Sequence, residues 1–176
     1  MSNQIIAAMK SRRSCRAFKP DPVPRELLEQ VAEAGLWAAN GMGKQATKIV
    51  VVADKALRDR IAEANREIGG WNEGFDPFYG APAMLVVLGD ATWTNRVYDG
   101  SLVMGNLMLA AHSLGLGSIW IHRAKEEFER EEWKSLLKSL GVEGEWEGIG
   151  HCAVGYIDGE PPKAAPRKEG RVFWAE

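Results

Sequence analysis

Apolar side chains recur every three or four residues through RELLEQVAEAGLWAA, at Leu27, Leu28, Val31 and Leu36, while Glu26, Glu29 and Glu33 face away. That spacing predicts an amphipathic helix opened by Pro24, whose fixed φ suits a first helical position. Ahead of it, Ile5, Ile6 and Met9 share one face of a short helix that Ser2 would cap and that ends near Lys10. KIVVVA and AMLVVLG are short, unbroken apolar runs and read as buried strands. Between them Asp54 caps a helix through Leu57, Ile61, Ala64 and Ile68, which Gly69 and Gly70 stop.

The stretch 95–114 is apolar on nearly every side, which predicts a helix covered on most of its surface. Gly100, Gly105, Ala110 and Ala111 would let another helix approach it closely. GSIWIH and GIGHCAVGYI read as a third and a fourth strand. Between them Lys125 to Leu140 reads as one amphipathic helix through Phe128, Trp133, Leu136, Leu137 and Leu140, ended by Gly141. GGWNEGFDPFYGAP is a loop rich in glycine and aromatics. The proline-rich tail ends in a short candidate strand, Arg171 to Trp174. No repeat or linker divides the chain, so residues 1–176 are expected to form one domain.

Composition narrows the classes. A net charge of −2 argues against general nucleic-acid binding. The longest apolar run, near Leu102 to Leu116, is too short and too interrupted for a membrane span, and the N-terminus has the reverse polarity of a signal peptide. Two cysteines, Cys15 and Cys152, form no framework and fit a reducing cytoplasm, with a single disulfide between them left open. Seven Trp and 19 Gly suit a site for something flat, or a rich core.

Several motifs fail on inspection. GMGKQA lacks the upstream glycine and the Ser/Thr of a phosphate loop, while GLGSIW and GIGHCAVG run into strands instead of opening helices. His112, His122 and His151 show no zinc spacing with the cysteines, and lone histidines in apolar segments are more often satisfied core residues. What remains is RRSCR near the start and PPKAAPRK near the end. Arg12, Arg13 and Arg16 crowd five residues beside Ser14, and guanidinium forks with a hydroxyl suit a monophosphate.

SRRSCRAFKPDPVPRELLEQVAEAGLWAANGMGKQATKIVVV resembles the opening of the FMN-dependent nitroreductase family, and APAMLVVLGD, NLMLAAHSLGLGSIWIH and GYIDGEPPKAAPRK match later landmarks in order. The resemblance implies an α+β, nitroreductase-like fold: a mixed, mainly antiparallel sheet flanked by helices, dimeric, with FMN at the subunit interface. It implies that Arg12, Arg13 and Ser14 meet the phosphate and ribityl chain and that Arg16 approaches flavin N1. Ala39, Asn40, Gly41 and Gly43 would come from the other subunit. Trp120, Ile121 and His122 would back the ring near N5, where a backbone N–H is the useful donor. Arg167 and Lys168 would close on the phosphate. Gly43 departs from the family pattern by removing a side-chain amide.

The activity implied is ping-pong reduction of nitroaromatics, quinones or similar acceptors by NAD(P)H, with no acid–base side chain required. Trp71, Phe75, Phe78 and Tyr79 are candidates to cover a flat substrate. The alternative is a flavin-binding or interaction protein of the same fold without efficient turnover.

Overall fold

The computed structural model describes residues 3–175. Its elements are α1 (Gln4–Ser11), α2 (Arg25–Leu36), β1 (Thr47–Val52), α3 (Lys55–Gly69), β2 (Ala83–Asp90), α4 (Arg96–Ser113), β3 (Gly117–Ile121), α5 (Ala124–Phe128), α6 (Glu131–Ser139) and β4 (Trp146–Gly155). The four strands form one sheet in the order β1-β2-β4-β3, and every neighbouring pair is antiparallel. Among the described residues parallel pairing is confined to one bridge, between Ser14 and Ser118.

An unbroken apolar strand has to be covered on both faces, and β2 is buried from Ala83 to Gly89. Met84, Val86 and Leu88 point into a cluster with Ile61, Phe78, Phe128 and Trp133, beneath α3, α5 and α6. Ala83, Leu85 and Val87 point into a second cluster with Val31, Met104 and Leu107, beneath α2 and α4. The result is helices on either side of a central sheet. A bulge between Val87 and Leu88 leaves Ile149 as the extra residue on β4. Ile149 lies against Gly100 of α4, where a Cβ would come within 2.7 Å of it.

The helix ends follow their chemistry. Asp54 accepts from the Leu57 N–H at 2.8 Å, and Gly70 closes α3 in the left-handed conformation at φ 66°. Ser2 lies outside the described residues; α1 is capped by Asn3, which accepts from Ile5 and Ile6.

Two expectations need correction. The single helix expected from Lys125 to Leu140 is broken at Arg130, which is extended at ψ 139°. On one straight helix Phe128 and Trp133 would point about 140° apart. The break lets both enter the same core, where they are 2% and 1% exposed. The tail is not a strand: Arg171 to Trp174 pairs with nothing among the described residues, and Val172, Phe173 and Trp174 are exposed. Within the single chain, the apolar helix α4 leaves Val97, Tyr98 and Leu102 at the surface.

Gly148 faces Leu88 across the bulge, and a Cβ there would sit 2.1 Å from the Ala124 carbonyl oxygen. Backbone cannot yield that far cheaply. Gly148→Ala is expected to destabilise the fold by about 3 kcal/mol, read as a lowered midpoint in urea at unchanged m; an unchanged midpoint would show that α5 is free to shift.

Candidate functional site

The chain leaves α1 at Arg12 and runs beside β3. Ser14 bridges Ser118, and the Cys15 N–H donates to the Ser118 carbonyl at 3.0 Å. Cys15 and Phe18 are buried, so the short segment is held from both ends. Arg12, Arg13 and Ser14 are left half-buried and Arg16 exposed. Arg12 Nη1 and Arg13 Nε are buried and have no hydrogen-bond partner among the described residues. A buried donor without an acceptor costs about 1–3 kcal/mol, and an anion would remove that cost. Beside them a small cavity is lined by Ser11, Arg12, Arg13, His112, Ser118 and Pro161, with Ser11 Oγ 2.7 Å from His112 Nε2.

β3 carries the site away from the arginines. From Ser118 to His122 the chain advances about 13 Å. Ile121 is buried and His122 exposed. The Trp120 indole lies so close over Gly150 that a Cβ there would meet its Nε1 at 2.3 Å. The Trp120 and His122 rings lie 5.8 Å apart. Arg123 then leaves the strand at φ 77°, with its guanidinium 4.3 Å from the Trp71 ring centroid. From Trp71 a row of rings returns towards the first cluster: Phe75 at 5.1 Å, Tyr79 a further 6.2 Å on, and Arg16 6.0 Å from the Tyr79 ring. The strip thus has unpaired cationic donors at one end and flat surfaces along its side.

The aromatic loop is anchored by Arg58, which donates to the Ala81 carbonyl at 2.9 Å and pairs with Asp76. Phe78 is a correction to the substrate-facing set. It is fully buried, edge-on to His151 at 5.2 Å, and belongs to the core. Trp71, Phe75 and Tyr79 stay at least partly exposed.

The remaining expected residues lie elsewhere on the protomer. Ala39, Asn40, Gly41 and Gly43 follow α2, where the Gly41 N–H donates to Asp99 Oδ1 at 2.9 Å and Trp93 Nε1 donates to Asp99 Oδ2 at 2.8 Å. Asp99 and His112 are separated along α4 by about 20 Å, so one chain does not bring this loop to the arginines. Arg167 and Lys168 stand on the exposed tail, lining only a shallow cavity with Gly170, Arg171 and Val172.

Asp99, Arg58 and a cluster of Asn65, Glu127 and His151 hold the site's loops, and periodicity singled out none of them for this. The signal present was polarity inside otherwise apolar elements, as with His151 in β4. Both cysteines are free and buried. Burial pushes the Cys152 thiol up to about 12, and it raises Cys15 against the lowering pull of the Ser118 backbone hydrogen bond and Arg12. Neither is a thiolate near neutrality. Among the described residues no group of three or more His, Cys, Asp or Glu is placed to hold a metal ion.

The model of the nitroreductase family matches residues 9–156. An archaeal relative from Methanothermobacter thermautotrophicus, whose name pairs NADH dehydrogenase with NAD(P)H nitroreductase, is 28% identical over 125 residues, covering 66% of this chain and 59% of the relative. The chain therefore spans less than two thirds of that relative's length. Among solved structures, a nitroreductase with bound FMN from Bacteroides fragilis superposes with a TM-score of 0.87 at 28% identity, covering 99% of this chain and 100% of the other. A nitroreductase with bound FMN from Desulfitobacterium hafniense gives 0.88 at 27% identity, with 100% of both chains covered.

Because Phe78 is core, Phe78→Ala is expected to cost about 3–5 kcal/mol by leaving a cavity against His151 and Arg58. Chemical denaturation measures it; a loss below about 1 kcal/mol would mean that the loop, not the core, owns this ring.

Proposed function

The chain belongs to the nitroreductase family, and from that premise we propose that it is an FMN-dependent NAD(P)H oxidoreductase that reduces nitroaromatics, quinones or similar small acceptors by two electrons in a ping-pong cycle. The observation that carries this reading is the pair of buried, unpartnered guanidinium nitrogens, Arg12 Nη1 and Arg13 Nε, beside Ser14. A phosphate fits that set of planar charged donors and a hydroxyl, and the flat surfaces farther along the strip suit a ring. When bound, FMN supplies the two-electron chemistry.

The chain's own residues bind, orient and tune. Arg12, Arg13 and Ser14 take the phosphate, with Arg167 and Lys168 closing over it from the tail. Arg16 places positive charge near flavin N1 and the C2 carbonyl. The backbone of Trp120, Ile121 and His122 faces the ring, and Trp71, Phe75 and Tyr79 cover the acceptor.

The functional unit in this reading is a homodimer. The distance along α4 between the 39–43 loop and the arginines supports it, since a second copy can supply the loop that one chain holds too far away. Ile5, Met9, Trp37, Val97, Tyr98 and Leu102 are exposed, large apolar side chains of the kind a second copy would cover. Among the described residues no helix is long and apolar enough to cross a membrane. A single domain working in a reducing cytoplasm belongs to the same reading, and the two free thiols support it.

A second reading, flavin binding without efficient turnover, is favoured by Gly43. It sits at φ 64° with nothing within 4 Å of a Cβ, and so offers no group to a flavin or its partner. Anaerobic spectroscopy decides between the two: the yellow protein should bleach with NADH or NADPH and recolour with a quinone or nitroaromatic. Colour that persists under both reductants selects the second reading.

Two further outcomes are expected. Sedimentation at low micromolar concentration should give only dimer, and a flavin-loaded monomer would defeat the shared site. The phosphate keeps its charge in both redox states, so Arg12→Ala should weaken FMN binding about 10- to 100-fold in each. Arg16 meets negative charge only on reduction, so Arg16→Ala should lower the flavin potential by roughly 30–65 mV. A redox titration at saturating FMN that shifts with Arg12→Ala and not with Arg16→Ala reverses the two roles.

A further inference from the structure

Behind the end of β3 lies a polar cluster sealed from solvent. Asn65 of α3, Glu127 of α5 and His151 of β4 are each 0% exposed. Asn65 Nδ2 donates to the His122 carbonyl at 2.8 Å and to Glu127 Oε1 at 2.6 Å. Glu127 Oε2 stands 2.7 Å from His151 Nε2, and His151 Nδ1 lies 3.4 Å from the Ile121 carbonyl. Phe78 packs edge-on against the imidazole. Buried polar groups are costly unless they meet a partner; two partners here are the carbonyls that end β3, while Asn65 Oδ1 has none among the described residues.

The chemistry of the contacts fixes the orientation of the amide. Both neighbours of Asn65 Nδ2 are oxygen acceptors, so the group placed there has to be the two-hydrogen nitrogen. A carboxylate at position 65 could not serve, and neither could a side chain with one hydrogen to give. Glu127 in turn lies 2.7 Å from His151, and a swing of the amide would break the contacts to both Glu127 and the His122 carbonyl.

That constraint reaches the site through one peptide plane. Among the described residues no peptide bond is cis, and in a trans peptide the C=O and the following N–H point in opposite directions. With the His122 oxygen drawn inward to Asn65, the Arg123 N–H is turned outward. Next to it His122 is exposed and Arg123 stacks on Trp71. This N–H has no backbone partner among the described residues, so it is a donor held ready for a ligand.

We propose that Asn65, clamped by the buried Glu127–His151 pair, is the positioning residue that aims the Arg123 backbone N–H at the bound flavin ring. This rests on the cofactor reading above. Expected behaviour follows from which atoms act. The donor is backbone, so the side chain at 123 is exchangeable for this purpose. The amide at 65 is not, because it alone spans Glu127 and the His122 carbonyl. Glu127 acts as a hydrogen-bond partner, so a neutral residue of the same shape should serve in its place.

The test is an amide-resolved NMR titration of the full-length, 15N-labelled protein with FMN, together with FMN dissociation constants. In the wild type the Arg123 amide should shift strongly and its hydrogen exchange should slow at least about tenfold. Asn65→Leu should still bind FMN through the arginines, with affinity down about fivefold and with the Arg123 protection lost. Glu127→Gln should keep both the shift and the affinity within about twofold. If Asn65→Leu does not fold, the wild-type titration and Glu127→Gln decide alone. Movement at Arg12 and Ser14 with an unmoved Arg123 amide overturns this inference and leaves the cofactor reading standing. No FMN-induced movement anywhere overturns both. A Glu127→Gln protein as impaired as Asn65→Leu would show that the charge of the pair, not its hydrogen-bond geometry, is what acts.

Discussion

The buried polar side chains of this protein hold loops. A sheet covered on both faces leaves no room inside for chemistry, so β2 and β4 are almost entirely apolar and functional groups are displaced to strand ends and connections. Such connections are the softest parts of a fold. Three that bear candidate residues or lead to them are tied to the core by a side chain that solvent barely reaches. Arg58 holds the aromatic loop at Ala81 and Asp76, Asp99 holds Gly41, and Asn65 with Glu127 and His151 holds the exit of β3. The segment with the arginines is tied by backbone instead, at Ser118.

This arrangement explains what could be read in the sequence and what could not. Helix and strand positions rest on local periodicity and local caps, so α2, α3, β1, β2 and β4 fall where the pattern puts them. The break between α5 and α6 does not follow from local pattern. A continuous amphipathic stripe is compatible with one helix, and only the need to bury both Phe128 and Trp133 in one cluster separates them. The arginine cluster was legible because its residues are adjacent and share one chemistry. The anchors were not, because each pairs with a partner 23 to 62 residues away. Glu127 looks like one of several acids in a helix's first turns, and its burial depends on where His151 arrives. The aromatic loop illustrates the same limit: Trp71, Phe75, Phe78 and Tyr79 look equivalent in sequence, yet Phe78 alone goes to the core.

Two kinds of buried charge coexist, and they differ in what they are complete without. The Glu127–His151 contact sets acid against base at 2.7 Å, and removing one partner of such a pair is typically worse than never having built it. The arginines are unmatched: Arg12 Nη1 and Arg13 Nε have donors and no acceptors. A protein can hold the first kind as structure. The second kind is held at a cost that an anionic ligand can remove.

The backbone donor at Arg123 has a consequence for side-chain freedom. A positive φ of 77° is natural for glycine, and a larger residue there carries a penalty of about 1–2 kcal/mol. A hydrogen bond from the main chain would be given equally well by glycine, so the donor alone does not account for an arginine. The guanidinium lies 4.3 Å from the centre of the Trp71 ring, and a cation over an indole returns about 0.5–2 kcal/mol. That contact offsets the backbone cost and fastens the start of the aromatic loop to the end of β3. The loop's other end is fixed by Arg58, so the row from Trp71 to Tyr79 is held at both ends by arginines acting in different ways, one stacked and one hydrogen-bonded. The aromatic loop and the proposed backbone donor are thereby set by a single residue, its side chain fixing the loop and its main chain carrying the donor.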